Sequence, residues 1–83
     1  MKVRSVMVVK ETQQSDEIEI SLNGEPRQVA PELTVAGLVA ELQLAPERLA
    51  IEYNCSILAR RAWPETKLRG GDRLEIVHFV GGG

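Results

Sequence analysis

Three consecutive glycines, Gly81, Gly82 and Gly83, close this 83-residue sequence, and their type and position suit chemistry better than any other group in it. Glycines inside a chain commonly serve a turn, whereas these have no further structure to lead into. In extended form, residues 80–83 reach roughly 13 Å beyond the element before them. Without Cβ atoms they can thread a narrow channel and bring the Gly83 carboxylate to a reactive centre on another protein. A carboxylate is a poor electrophile at neutral pH, so acyl chemistry there first requires a mixed anhydride such as an acyl-adenylate. Another enzyme must make it. A terminal glycine pair by itself equally describes a frayed end or a linker; an ordered strand running into it is what gives it meaning.

The other candidates carry less. Cys55 falls in a polar turn with no base or helix N-terminus in view to activate its thiol, and reads as an ordinary exposed cysteine. As the one cysteine of the chain it rules out an internal disulfide and a multi-cysteine metal site, and it suits a reducing compartment. His78, the one histidine, alternates with Leu74 and Ile76 and reads as a strand residue at the core margin. Arg60, Arg61, Lys67, Arg69 and Arg73 crowd one region together with Glu65 and Asp72. That pattern reads first as a solvated face and second as a dock for an acidic partner. No paired catalytic carboxylates, metal-ligand spacing, phosphate loop or Ser/His/Asp set is present, so no metal or cofactor is expected on the domain itself.

Ten basic against twelve acidic residues leave a net charge of -2, which gives no field to gather phosphate backbones, so nucleic acid is a poor partner. The sequence shows neither an export signal nor a run of about eighteen apolar residues that could span a bilayer. The expectation is a soluble cytoplasmic protein with no membrane partner. A chain of this length makes one small domain, which buries only about 60% of its unfolded surface and has no room for a deep cleft. With Tyr53, Trp63 and Phe79 as the only aromatics, the core must be mainly Leu, Ile and Val.

Residues 1–16 form a leader and a polar linker. The leader, with Val3, Val6, Met7, Val8 and Val9, suits either an extra edge strand or a loose arm. From residue 17, Ile18, Ile20 and Leu22 alternate with polar neighbours, predicting a strand over 17–22. Asn23 and Gly24 tolerate the positive φ of a two-residue hairpin turn. The return strand, 25–30, contains Pro26 and belongs at a sheet edge. Thr34 can cap a helix carrying Val35, Leu38, Val39 and Leu42 on one face and ending at Ala45-Pro46. Gly37 inside it costs about 1 kcal/mol relative to alanine, offset if the backbone lies close to a sheet.

Strands are predicted at 49–53 and 57–60, an irregular turn around Trp63-Pro64 with Trp63 and Leu68 tucked under the domain, and a tight turn at Gly70-Gly71-Asp72. The last strand, 73–79, sets Leu74, Ile76 and His78 on one face and Glu75, Val77 and Phe79 on the other. Val77 and Phe79 are therefore expected to be exposed just before the tail, and with Val80 they form a candidate partner-binding surface. Strand, strand, helix, strand, strand, strand defines a small α+β domain over 17–80, followed by a flexible tail at 81–83.

Several of these stretches together resemble a known family: Ser21-Leu22-Asn23-Gly24-Glu25, Thr34-Val35, Trp63, Leu68, and the run from Gly71 through Asp72-Arg73-Leu74-Glu75-Ile76-Val77-His78-Phe79 to the glycine tail. The resemblance is to the thiamine-pathway sulfur carriers, the ThiS family, and covers about residues 17–83. It implies a ubiquitin-like β-grasp fold, a mixed sheet whose first and last core strands are parallel, with one main helix packed on one face. It also implies that an E1-like enzyme, using ATP and Mg, adenylates Gly83, that a sulfur donor enzyme converts it to a thiocarboxylate, and that thiazole synthase accepts the sulfur. The domain is then a carrier and a substrate of other enzymes rather than a catalyst. Ala59 where proline is frequent, the Asn54-Cys55-Ser56 turn and the third glycine depart from the family pattern. The same fold and tail would also suit the small subunit of molybdopterin synthase, or a protein modifier conjugated through Gly83.

Overall fold

The computed structural model describes residues 16–79. The leader, all of the linker but Asp16, and the tail residues Val80, Gly81, Gly82 and Gly83 lie outside the described residues. Strand β1 (Ile18–Leu22) turns through Asn23 (φ 51°) and Gly24 (φ 85°) into β2 (Glu25–Val29). Two successive positive φ angles match the right-handed twist of a hairpin, which Asn and Gly adopt at little cost. β2 lies at the sheet edge, where the missing amide of Pro26 removes no central ladder bond.

Helix α1 (Val35–Glu41) begins at Thr34, whose Oγ1 accepts the Gly37 amide at 3.0 Å. It stops at Glu41, short of the Ala45-Pro46 step where the sequence places its end. The cause is a Schellman closure: Gln43 turns left-handed (φ 58°), its amide bonds the Ala40 carbonyl and the Leu44 amide bonds the Val39 carbonyl. Gly37 is close to Leu33 rather than to the sheet. A Cβ there would sit 2.8 Å from Leu33 Cδ1 and 3.3 Å from the capping oxygen.

A 3₁₀ turn (Pro46–Arg48) leads into β3 (Leu49–Tyr53), which hairpins through Asn54 (φ 50°) and Cys55 (φ 74°) into β4 (Ser56–Ile57). β4 is shorter than the predicted 57–60, because the chain leaves the sheet after Ile57 for a 3₁₀ segment (Arg60–Glu65). There the Trp63 indole is buried and its Nε1–H donates to the Leu58 carbonyl at 3.1 Å. Leu68 is buried as expected. A turn with Gly71 at φ 90° then delivers β5 (Arg73–His78).

The sheet order is β2-β1-β5-β3-β4, with β1 and β5 parallel at its centre and the other pairs antiparallel. One face of it buries Ile20, Val29, Leu49, Ile51 and Leu74 against Val35, Leu38 and Val39 of α1, with Trp63 and Leu68 closing the side. Each such aliphatic side chain contributes roughly 1.5–3 kcal/mol by leaving water. This mixed sheet gripping one helix is the ubiquitin-like β-grasp fold. No helix among the described residues is long and apolar enough to cross a membrane.

Candidate functional site

β5 delivers the chain to the glycine tail, and the elements around it define where the tail starts. Just before β5, Asp72 is buried. Its Oδ2 accepts the Tyr53 hydroxyl at 2.6 Å and the Arg69 amide at 2.9 Å, and its Oδ1 accepts Asn54 Nδ2 at 3.2 Å. Burial pushes this carboxyl up, but the Tyr53, Arg69-amide and Asn54 hydrogen bonds and the Arg69 charge outweigh it and hold the pKa below its ordinary value. Tyr53 moves the other way: burial raises its pKa, and the hydrogen bond to Asp72 and that residue's negative charge raise it further, against a smaller opposing effect of Arg69.

The two hairpin asparagines clasp β5 from opposite sides. Asn54 donates its amide to the Arg73 carbonyl and accepts the Arg73 amide on Oδ1, both at 2.8 Å. Asn23 donates its amide to the Leu74 carbonyl at 2.8 Å and accepts the Ile76 amide on Oδ1 at 2.7 Å. Asn23 thus adds a rung to a parallel ladder whose strand register ends at Leu22 opposite Leu74.

Beyond Ile76 the surroundings thin. β1 has turned away, and among the described residues β5 keeps only β3 beside it, with Leu49 opposite His78 and the Phe79 amide bonded to the Arg48 carbonyl at 2.8 Å. His78 is exposed rather than at the core margin, because β1 ends opposite Leu74 and, among the described residues, no strand flanks it on that side. Val77 and Phe79 are 53% and 55% exposed, as their alternation with Leu74 and Ile76 predicts. Ile57 on β4, at 70%, is the remaining large exposed apolar residue among those described.

The outer sheet face, away from α1, can be read from the register. Ala50 lies opposite Val77, Glu52 opposite Glu75, and Ile57 opposite Glu52. A cavity of about 100 Å³ opens on this face between Glu52, Glu75, Arg73, Ser21 and Cys55. Cys55 is exposed there, in a left-handed position that favours glycine.

The basic residues do not form one patch. Arg60 lies over the Trp63 ring at 5.9 Å beside the α1 groove, and Lys67 pairs with Glu32 at 2.9 Å. Arg73 stands instead opposite Ser21 in the sheet. No group of three or more His, Cys, Asp or Glu side chains among the described residues is arranged to hold a metal. Sequence reasoning missed the part played by Asp72, Asn23 and Asn54 in fastening β5. The one available signal was the recurrence of Asn at both hairpin turns.

The sequence model of the ThiS family matches residues 20–83, from β1 through the last glycine. The chain belongs to the ThiS family. A crystal structure of the thiamine biosynthesis protein ThiS from Geobacter metallireducens superposes with a TM-score of 0.69 at 35% identity, covering 80% of this chain and all of that one. The sulfur carrier protein ThiS of Bacillus subtilis is 40% identical over 50 residues, 60% of this ThiS-family chain and 76% of that protein. A thiazole synthase of Magnetococcus marinus is 39% identical over 66 residues, which are 80% of this chain but 20% of the relative's length. The same share holds for a thiazole synthase of Paramagnetospirillum magneticum at 35% identity, so the chain spans about a fifth of these two relatives.

Proposed function

We propose that this chain is the sulfur carrier for assembly of the thiamine thiazole, with Gly83 as the carrying residue. The reading rests on one observation above the rest: the family match extends to Gly83. A Gly83 carboxylate oxygen attacks the α-phosphate of ATP on an E1-like enzyme, and pyrophosphate leaves. The outer sulfur of a persulfide on a donor enzyme then attacks the acyl carbon, forming the C–S bond as the C–O bond to AMP breaks. A second thiol of the donor cleaves the S–S bond of that adduct, becoming a disulfide and releasing the sulfur on Gly83. The resulting thiocarboxylate is an ionised sulfur nucleophile that thiazole synthase accepts. ATP and Mg belong to the activating enzyme; the domain contributes a fixed origin and a tail thin enough to enter the partner's site.

In this reading Val77, Phe79 and Val80 form the docking surface that precedes Gly81 and Gly82. The likeness to part of two thiazole synthases supports that enzyme as the recipient. The reading requires a free carboxylate on Gly83.

Intact mass tests it, after incubation with the E1-like enzyme encoded in the same genome, ATP, Mg and a sulfur donor. The expected product has one terminal oxygen replaced by sulfur. Deleting Gly83 shortens the reach by roughly 3.5 Å and should sharply reduce conversion, and deleting all three glycines should abolish it with the domain still folded. An isopeptide adduct on lysine would make the chain a modifier instead. An unchanged mass with every E1-like enzyme of that genome would leave the tail inert and overturn the proposal.

A further inference from the structure

The outer sheet face combines two features that an isolated domain does not need. Val77, Phe79 and Ile57 expose apolar surface, and between the β4 and β5 members of that set Glu52 and Glu75 stand directly opposite each other across β3 and β5. Like charges in that register destabilise a sheet. Both carboxylates are on exposed residues, and neither forms an ion pair among the described residues. Glu19, on the same face, is engaged by Gln28 Nε2 at 3.1 Å. Among the described residues Arg73 is the one cation that the strands place there, two residues before Glu75 and opposite Ser21. The strands of this face therefore present three carboxylates against one guanidinium, with the about 100 Å³ cavity between Glu52, Glu75 and Arg73. Arg60 of the Arg60–Glu65 segment lies toward α1, not on this face.

We infer that the partner surface covering Val77 and Phe79 also presents a lysine or arginine that seats between Glu52 and Glu75. This inference rests on the carrier reading, whose docking partner it characterises. Charge complementarity selects this occupant: an anionic centre with Ile57 on one side and Ala50 and Val77 on the other fits a cation set within an apolar patch. Once such a patch covers the face, water leaves and the attraction between cation and carboxylates strengthens. The seated cation also removes the repulsion that the free domain carries between the two glutamates. Before contact, the same charges steer the encounter and set the orientation in which the tail enters.

The test measures the affinity of the full chain for the E1-like enzyme of the same genome, at about 0.05 and 0.5 M salt. The double variant Glu52→Gln, Glu75→Gln should bind about tenfold more weakly at low salt and lose most of its salt dependence, with a thermal midpoint equal to or above that of the parent. Val77→Ser with Phe79→Ser should weaken binding and keep the salt dependence. Parent-like affinity and salt dependence in the glutamine variant, while the parent still forms its thiocarboxylate, would overturn this inference and leave the carrier reading standing. Failure of the parent to bind or to be thiolated would remove both. Two further outcomes would overturn the assignment to an enzyme partner. One is tighter binding by a chain lacking residues 1–16 that no longer responds to the glutamine changes, which would give the seat to Lys2, Arg4 or Lys10. The other is a dimer of the parent that the double variant loses, which would give it to a second copy.

Discussion

At its start β5 is held on every side. Asp72 gathers Tyr53, Asn54 and the Arg69 amide, Asn54 and Asn23 clasp the strand from its two neighbouring hairpins, and Leu74 is fully buried under α1. Some five residues later, among the described residues, the same strand keeps a ladder on one side only, ends with a single bond from the Phe79 amide to Arg48, and turns apolar side chains to water. The difference teaches how a small domain presents a tail. The origin must not move, so polar and apolar contacts are spent there; the exit must be accessible, so apolar surface that would add stability stays uncovered.

The contrast can be broken most severely at Leu74. Leu74→Ala should destabilise the domain by about 2–5 kcal/mol in denaturant titration. A loss under about 1 kcal/mol would mean that the core does not anchor the strand.

Asp72→Asn comes next, at about 1–3 kcal/mol, because it removes a charged acceptor from three donors. The sign of its pH dependence follows from the lowered pKa. Above the unfolded-state value the folded domain gains from the ionised carboxylate, and that gain is lost as the pH falls through the folded-state value. Parent stability should therefore decline in acid over a window at and below the ordinary carboxylate range, and the Asn variant should lack that component. Identical acid profiles would count against the network. Asn23→Gly should preserve the turn and delete only the side-chain bond to Ile76, costing about 1 kcal/mol.

At the other end, Val77→Ser with Phe79→Ser should change stability by no more than about 0.5 kcal/mol per site and reduce affinity for the activating enzyme. A cooperative loss of folding there would make the exit part of the core and erase the distinction.

Much of this was legible because local patterns carry it. Alternation around Ile18, Ile20 and Leu22 and across Leu74 to Phe79 gave both central strands and the exposed pair. Asn23-Gly24 gave the first turn, Pro26 the edge, and Thr34 the helix cap. The misreadings arose where a distant contact or a backbone angle prevailed over pattern. α1 ends early because Gln43 turns left-handed, a conformation no proline or glycine announces. β4 is cut short because Trp63 draws the chain under the domain, and His78 is exposed because β1 ends before reaching it.

By itself the sequence determined the order of elements, the apolar face of each, and a glycine tail following a strand, since these depend on side-chain periodicity and on residues with special backbone freedom. Tertiary structure alone decided that Asp72 meets Tyr53 from 19 positions away and that Asn23 reaches an amide 53 positions further on. It also decided that Glu52 and Glu75 face each other beside Val77. Such pairings follow from strand order and register. These are set when parallel β1 and β5 close across the whole intervening chain, and no local window of sequence contains both partners.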